Sequence, residues 1–340
     1  MARRWPTQEM LLPAELDVEE LEEPGRGGRF GGRRLSVVLL ILVVLLAAFT
    51  VARLSGVEGN VLLVTALAAT PFVPLAAGAL ALVSLILRRR LVAIAAAVVA
   101  VVLGALLLPR MSAADQPAAD GPRLRVLTVP LDGDVADAKA LLNLVSRNKI
   151  DVLVLPALSP PSASSLDYAG LAELLPYRVF DPRPDGAGAG VAARVPLRKV
   201  VLQDPEVTGQ PAVVVDLAGE QDAELLVVNA DSAAEAGNLP AWHRIFDALP
   251  APGARPRILA GAFNATVDQP AFRGLLDRGY HDAADQTGNG LAATWSSVPF
   301  GLPVARDHVL ADARCAITAY GTVEVPNNNH RALLAALTLP

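Results

Sequence analysis

Apolar positions along this chain fall into two regimes. Up to residue 108 they form three long runs, Leu35 to Val51, Val61 to Leu87 and Leu91 to Leu108, each nearly or fully as long as the ~20 residues a helix needs to cross a bilayer. From Arg123 onward they shorten into strand-length runs separated by amphipathic stretches. Strands are predicted at Leu124 to Val129, Asp151 to Pro156, Tyr177 to Phe180, Gly190 to Ala193, Arg198 to Gln203, Ala212 to Leu217, Glu224 to Asn229 and Arg257 to Ala260. Later ones are predicted at Asp307 to Leu310, Ile317 to Val325 and Ala332 to Leu339. Helices are predicted at Asp134 to Asn148, Ser164 to Leu175, Leu239 to Leu249 and Pro270 to Arg278. Strands outnumber helices, and hairpins mix with crossovers, which suits two sheets packed face to face with helices outside.

The three apolar runs read as a membrane anchor, residues 35–108. Leu91 to Leu108 carries no polar side chain, and no run holds an ionisable residue in its interior, so a transport or proton-relay role lacks the groups it requires. Two further spans follow the first where a signal peptide would have a cleavage site. Pro71 and Pro74 predict a kink or break in the second span. Arg26, Arg29, Arg33 and Arg34 precede the first span and Arg88, Arg89 and Arg90 fill the second connection, whereas Ala52 to Asn60 holds Arg53 alone. That asymmetry predicts a cytoplasmic amino end and an extracytoplasmic domain after Leu108. Residues 1–34, acidic at Glu15 to Glu23 and rich in glycine and arginine from Gly25, are expected to be a disordered cytoplasmic tail. Pro109 to Pro122 is expected to be a linker, and residues 123–340 the folded domain.

Composition agrees. The chain is 53% hydrophobic with mean hydropathy +0.41, too apolar for an ordinary soluble protein of 340 residues, so the lipid bilayer is its first predicted partner. A single cysteine, Cys315, excludes an intramolecular disulfide. A net charge of −5 without a basic face argues against specific nucleic-acid binding. There is no zinc-ligand spacing and no Walker motif, and Gly186-Ala-Gly-Ala-Gly190 lacks the following helix of a dinucleotide site.

Five strings carry the chemistry: Arg125-Val-Leu-Thr-Val-Pro130, Asp151-Val-Leu-Val-Leu-Pro-Ala157, Gly261-Ala-Phe-Asn-Ala-Thr266, Asp307-His-Val-Leu310 and Asn328-Asn-His-Arg331. Their order resembles the endonuclease/exonuclease/phosphatase superfamily, with smaller echoes at Ala193-Arg-Val-Pro-Leu197, Pro270-Ala-Phe-Arg273 and Thr294-Trp295. The resemblance covers residues 123–340 and looks closest to membrane-anchored actinobacterial members. It implies an α/β (α+β) fold, a four-layer αββα sandwich of the deoxyribonuclease I-like type, and Mg²⁺ as cofactor if the site is active.

The resemblance also assigns roles by position. The family's asparagine and glutamate at the ends of the first two strands, which bind metal, correspond to Pro130 and Ala157. Its water-activating aspartate corresponds to Ala262, while its phosphate-contacting asparagine is kept as Asn264. Its final Ser-Asp-His becomes Asn328-Asn329-His330, and a mid-domain histidine is replaced by Asp231. Asp307 and His330 are retained as a pair in which the carboxylate orients the imidazole. A hard cation needs oxygen ligands, so the implied domain is catalytically impaired or inactive, with a residual pocket for a small phosphoester. One alternative is an active Mg²⁺-dependent phosphodiesterase or phosphatase whose carboxylates come from Asp231, Asp132 or Asp134. Another is an envelope-protein-binding module presenting Trp242, Trp295 and Phe300. His243 and His281 are expected at the surface, and His308 on the face of its strand opposite Asp307.

Overall fold

A computed structural model describes residues 27–131, 136–184, 186–202, 210–217, 221–233, 235, 239–295 and 302–340, with side chains from Arg33 onward. Asp132, Asp134 and Phe300, and the acidic stretch Glu15 to Glu23, lie outside the described residues.

Two six-stranded mixed sheets form the centre of the domain. The first has the order β11-β12-β1-β2-β4-β3, with β1 Arg123–Thr128, β2 Val152–Pro156, β3 Tyr177–Asp181, β4 Ala189–Ala193, β11 Ala316–Glu324 and β12 Arg331–Thr338. The second has the order β5-β6-β7-β8-β10-β9, with β5 Leu197–Val200, β6 Ala212–Val215, β7 Ala223–Asn229, β8 Arg257–Ala262, β9 Tyr280–Asp282 and β10 Asp307–Asp312. Each sheet has one parallel pair near its middle, β1 with β2 and β7 with β8. Residues of β2 and β8 are buried throughout, as expected of strands covered on both faces.

Val126, Val154 and Val191 of the first sheet meet Val213, Leu225, Ile258 and Val309 of the second, forming the layer between the sheets. Outside the first sheet lie α5 Ala138–Arg147, α6 Pro160–Tyr168 and α7 Leu171–Leu174. Outside the second lie α8 Leu239–Ala248 and α9 Pro270–Asp277, around Trp242, Phe246 and Phe272. The result is the expected pair of sheets flanked by helices.

Local chemistry explains the boundaries. α5 starts at Ala138 because the Asp137 carboxylate accepts from the Ala140 amide at 3.0 Å. The helix predicted over Ser164 to Leu175 is instead two, because Gly170 takes φ +97° between α6 and α7. Trp242 does not join a surface patch: it is fully buried on the apolar face of α8.

The amino-terminal segment departs further from expectation. α1 runs Gly27–Ser55, so residues 27–34, expected to be disordered, are helical, and α4 runs Arg90–Leu107. Among the described residues, two helices, Arg33–Ser55 and Arg90–Met111, are long and apolar enough to cross a membrane. The run Val61 to Leu87, expected as one span, is α2 Val61–Leu67 and α3 Val73–Ile86, joined through a 3₁₀ turn at Thr70–Phe72 and bent by 55°. Pro71 and Pro74 remove helical donors at this break. The displaced α2 packs on the domain: Val64 joins the cluster of Trp242, Phe246 and Phe272, and Gln269 Nε2 donates to the Val64 carbonyl at 3.0 Å.

Charged residues at the helix ends complete this junction. Asp268, 1% exposed, accepts from Arg53 at 3.0 Å and from Arg110 at 3.0 Å. Arg110 also donates to Asp285 at 3.1 Å and to the Gly290 carbonyl at 2.6 Å. Glu58 accepts from the Ala271 amide at 2.8 Å and pairs with His243. The stretch Pro109 to Pro122 is laid along the domain rather than free of it. Ala113 bridges Thr287, and Gln116 Oε1 accepts from the Ile317 amide at 2.7 Å.

Candidate functional site

The carboxyl ends of both parallel pairs open on one side of the sandwich. β1 runs into Pro130, β2 into Ala157, β7 into Ala230 and Asp231, and β8 into Ala262 and Asn264. Antiparallel neighbours bring the starts of two further strands to the same edge. β10 pairs with β8 so that Asp307 lies opposite Ala262, and β12 pairs with β1 so that Thr128 lies opposite Leu333, just past His330.

A cavity of about 440 Å³ occupies this edge. Pro130, Ala157, Asp231, Ala262, Asn264 and His330 all line it, so six positions scattered between residues 130 and 330 of the sequence converge. Asp307 lies behind His330, whose Nδ1 donates to Asp307 Oδ2 at 2.8 Å, leaving Nε2 for the cavity. Asp307 is buried, its amide donates to Thr294 Oγ1 at 3.0 Å, and its Oδ1 has no partner among the described residues. Asn329 is exposed and outside the cavity wall, whereas its neighbour Asn328 donates to the Pro130 carbonyl at 2.8 Å.

The backbone around the site is held in uncommon conformations. Ala157 has φ +55° and Asn264 φ +47°, left-handed values that cost a side-chain-bearing residue about 1–2 kcal/mol. Asn264 is fixed by its amide, which donates to the Ala230 carbonyl at 2.7 Å. Gly261 has φ +145°, and a Cβ there would lie 2.0 Å from the Val228 carbonyl oxygen. Only glycine lets β8 approach β7 this closely while aiming Ala262 and Asn264 at the cavity.

Arg306, Trp295 and Glu235 complete the wall. The Arg306 guanidinium stacks 4.5 Å from the Trp295 ring centre, and Trp295 bridges His330 through its backbone. Glu235 accepts from the Ser232 amide at 2.8 Å. Hydrogen bonding from Ser232 holds its carboxyl below the usual range against partial burial, with Arg306 and His330 adding to the effect. Arg306 and Glu235 were not singled out from sequence; the only signal was that Arg306 immediately precedes the Asp307 strand.

Among the described residues, those at the strand tips do not fit a hard cation, and the wall beside them adds the carboxylates of Asp231 and Glu235 alone. Pro130, Ala157 and Ala262 offer no side-chain oxygen, and among the described residues no three of His, Cys, Asp or Glu converge where a metal could sit. His308 points to the opposite face of β10, as strand alternation predicts. Its Nδ1 meets Asp282 at 2.6 Å and its Nε2 the Ala265 carbonyl at 3.0 Å, with Phe272 packed against the ring. Burial opposes the His308 charge, but the Asp282 carboxylate and the Ala265 carbonyl outweigh it and raise its pKa. This second Asp/His pair is structural and lies away from the cavity.

A sequence profile described as the Endonuclease/Exonuclease/phosphatase family matches residues 124–329. No curated protein matches the chain. Among solved structures, an endonuclease/exonuclease/phosphatase from Beutenbergia cavernae is 19% identical with TM-score 0.51, covering 64% of this chain and 72% of that one. TDP2 from D. rerio, solved with a single-strand DNA product, is 17% identical with TM-score 0.52, covering 64% and 99%. An AP endonuclease from Archaeoglobus fulgidus is 14% identical with TM-score 0.50, covering 62% and 98%. At these identities the likeness concerns the fold, and the profile match over most of the chain supplies the rest: this chain belongs to the endonuclease/exonuclease/phosphatase family.

Proposed function

We propose that this chain is a membrane-tethered family member that binds a phosphate-bearing ligand beside His330 and has lost metal-dependent hydrolysis at rates typical of such enzymes. One observation carries the reading: the strand tips facing the cavity present Pro130, Ala157 and Ala262, while the Asp307–His330 pair and Asn264 keep hydrogen-bonding capacity for an anion. Removing electrostatic stabilisation and a general base each lowers a rate by roughly 10²-fold or more. The arginine asymmetry around the apolar helices supports an extracytoplasmic domain. Because α2 packs on the domain, the test uses the full chain.

Natural protein and an Ala157→Glu/Ala262→Asp variant are compared for Mg²⁺-dependent cleavage of bis-p-nitrophenyl phosphate. Background turnover in the natural protein and a gain of at least about 10²-fold in the variant are expected. Fast Mg²⁺-dependent turnover by the natural protein, abolished by His330→Ala, would overturn the reading. A rearranged active site is favoured by the carboxylates of Asp231 and Glu235 on the cavity wall, and Mn²⁺ titration calorimetry of Asp231→Asn and Glu235→Gln against the natural chain decides it.

A further inference from the structure

A second cavity, of about 450 Å³, adjoins the first and shares Glu235, Asn264, Trp295 and Arg306 with it. Its character differs. Ala233, Leu302 and Val304 form part of its largely apolar wall, together with Thr65 near the end of α2 and Ala68 and Ala69 at the break between α2 and α3. The groove therefore runs from the polar cavity to the point where the apolar helices meet the domain.

We infer that the ligand is a membrane phosphodiester lipid, with its phosphate in the polar cavity beside His330 and one apolar tail lying in this groove against the α2–α3 break. The inference rests on the phosphate-binding reading above and names its ligand class. A water-soluble phosphoester would fill only the polar cavity and leave an apolar groove solvated, whereas an amphiphile matches both chambers. Asp231 and Glu235 on the polar wall favour a singly charged diester over a dianionic monoester, because added negative charge would face two carboxylates. The packing of α2 on the domain sets the groove beside the apolar helices, so a lipid could enter without leaving an apolar environment entirely.

The test uses the full chain in dodecyl maltoside micelles with phosphatidylglycerol carrying a photoreactive diazirine in one tail, and diacylglycerol with the same tail as the phosphate-free comparison. Phosphatidylglycerol is expected to label the Thr65 to Ala69 and Leu302 to Val304 segments at least about tenfold more than diacylglycerol does. Ala69→Trp, which fills the groove, should reduce that labelling about tenfold. Thr65→Trp, at an exposed position of the same wall, supplies the same reading if Ala69→Trp fails to fold. Equal labelling by both lipids, or labelling confined to α1 and α4, overturns the inference. Calorimetry with glycerophosphoglycerol, which lacks tails, separates the two levels. His330-dependent binding without groove labelling leaves the phosphate reading standing and removes the lipid tail, and no binding of either compound removes both.

Discussion

Asp268 is the residue on which the junction between helices and domain turns, and Asp268→Asn is its sharpest probe. The native carboxylate is 1% exposed and lies between two guanidiniums, Arg53 from the end of α1 and Arg110 just past α4, each at 3.0 Å. Removing one partner of a buried ion pair leaves uncompensated charge and costs about 3–5 kcal/mol. Arg110 keeps Asp285 and the Gly290 carbonyl, so the lower figure of about 3 kcal/mol applies. At about 2–4 °C per kcal/mol for a domain of this size, the melting temperature of the full chain in detergent should fall by roughly 6–12 °C.

A surface pair supplies the comparison. Glu324 pairs with Arg331, but its side chain is 78% exposed, so Glu324→Gln should shift stability by no more than about 0.5 kcal/mol. Scanning calorimetry or intrinsic fluorescence of both variants measures the difference. If Asp268→Asn melts within about 1 °C of the natural chain, as Glu324→Gln should, the helices do not depend on the buried pair, and docking of the domain on them is a weak contact.

Gly261→Ala should destabilise the domain by at least about 3 kcal/mol in urea titration, because its Cβ would overlap the Val228 carbonyl and its φ is +145°; a change below about 1 kcal/mol would show that β7 and β8 can separate freely. Asp285 is pushed up to about 6 by burial and by neighbouring Asp282, against the pull of Arg110. With a folded value above the unfolded one, its contribution to stability is fully present below about pH 4 and lost as pH rises through about 6. The stability difference between natural chain and Asp285→Asn should therefore decline by roughly 1–3 kcal/mol across that window, and a flat difference would refute the shift. Asp307→Asn, which weakens the acceptor fixing His330 Nδ1, should reduce binding of glycerophosphoglycerol about tenfold while His308→Gln leaves it unchanged, because His308 lies on the other face of β10.

Much of the domain is legible because most strands are short apolar runs bounded by turn residues, and the resemblance carried by the five strings implies that the tips of the first two strands and the Gly261 to Thr266 string belong to one site. β9, three residues long, and α10, Ala283–Gln286, were missed because segments that short carry no period. The break at Pro71 and Pro74 was legible, but its consequence was not. A run of apolar residues looks the same whether its carbonyls and side chains meet lipid or a protein surface, and it is long-range contacts, the Gln269 bond to Val64 across 205 residues and the burial of Val64 beside Trp242, that distinguish them.

Arg53 shows the same limit from the opposite side. Read along the chain it is the lone basic residue in a connection, weighed only as a charge that biases orientation. In the fold it is bonded to Asp268, 215 residues away, and a charge with a buried partner is positioned by that partner. The helix ends, the α2–α3 break and the polar cavity therefore meet through one set of contacts: Asp268 and Gln269 hold the helices, and the same short loop, four residues upstream, positions Asn264 on the cavity wall. Loosening the junction should then disturb the cavity without altering any residue that lines it.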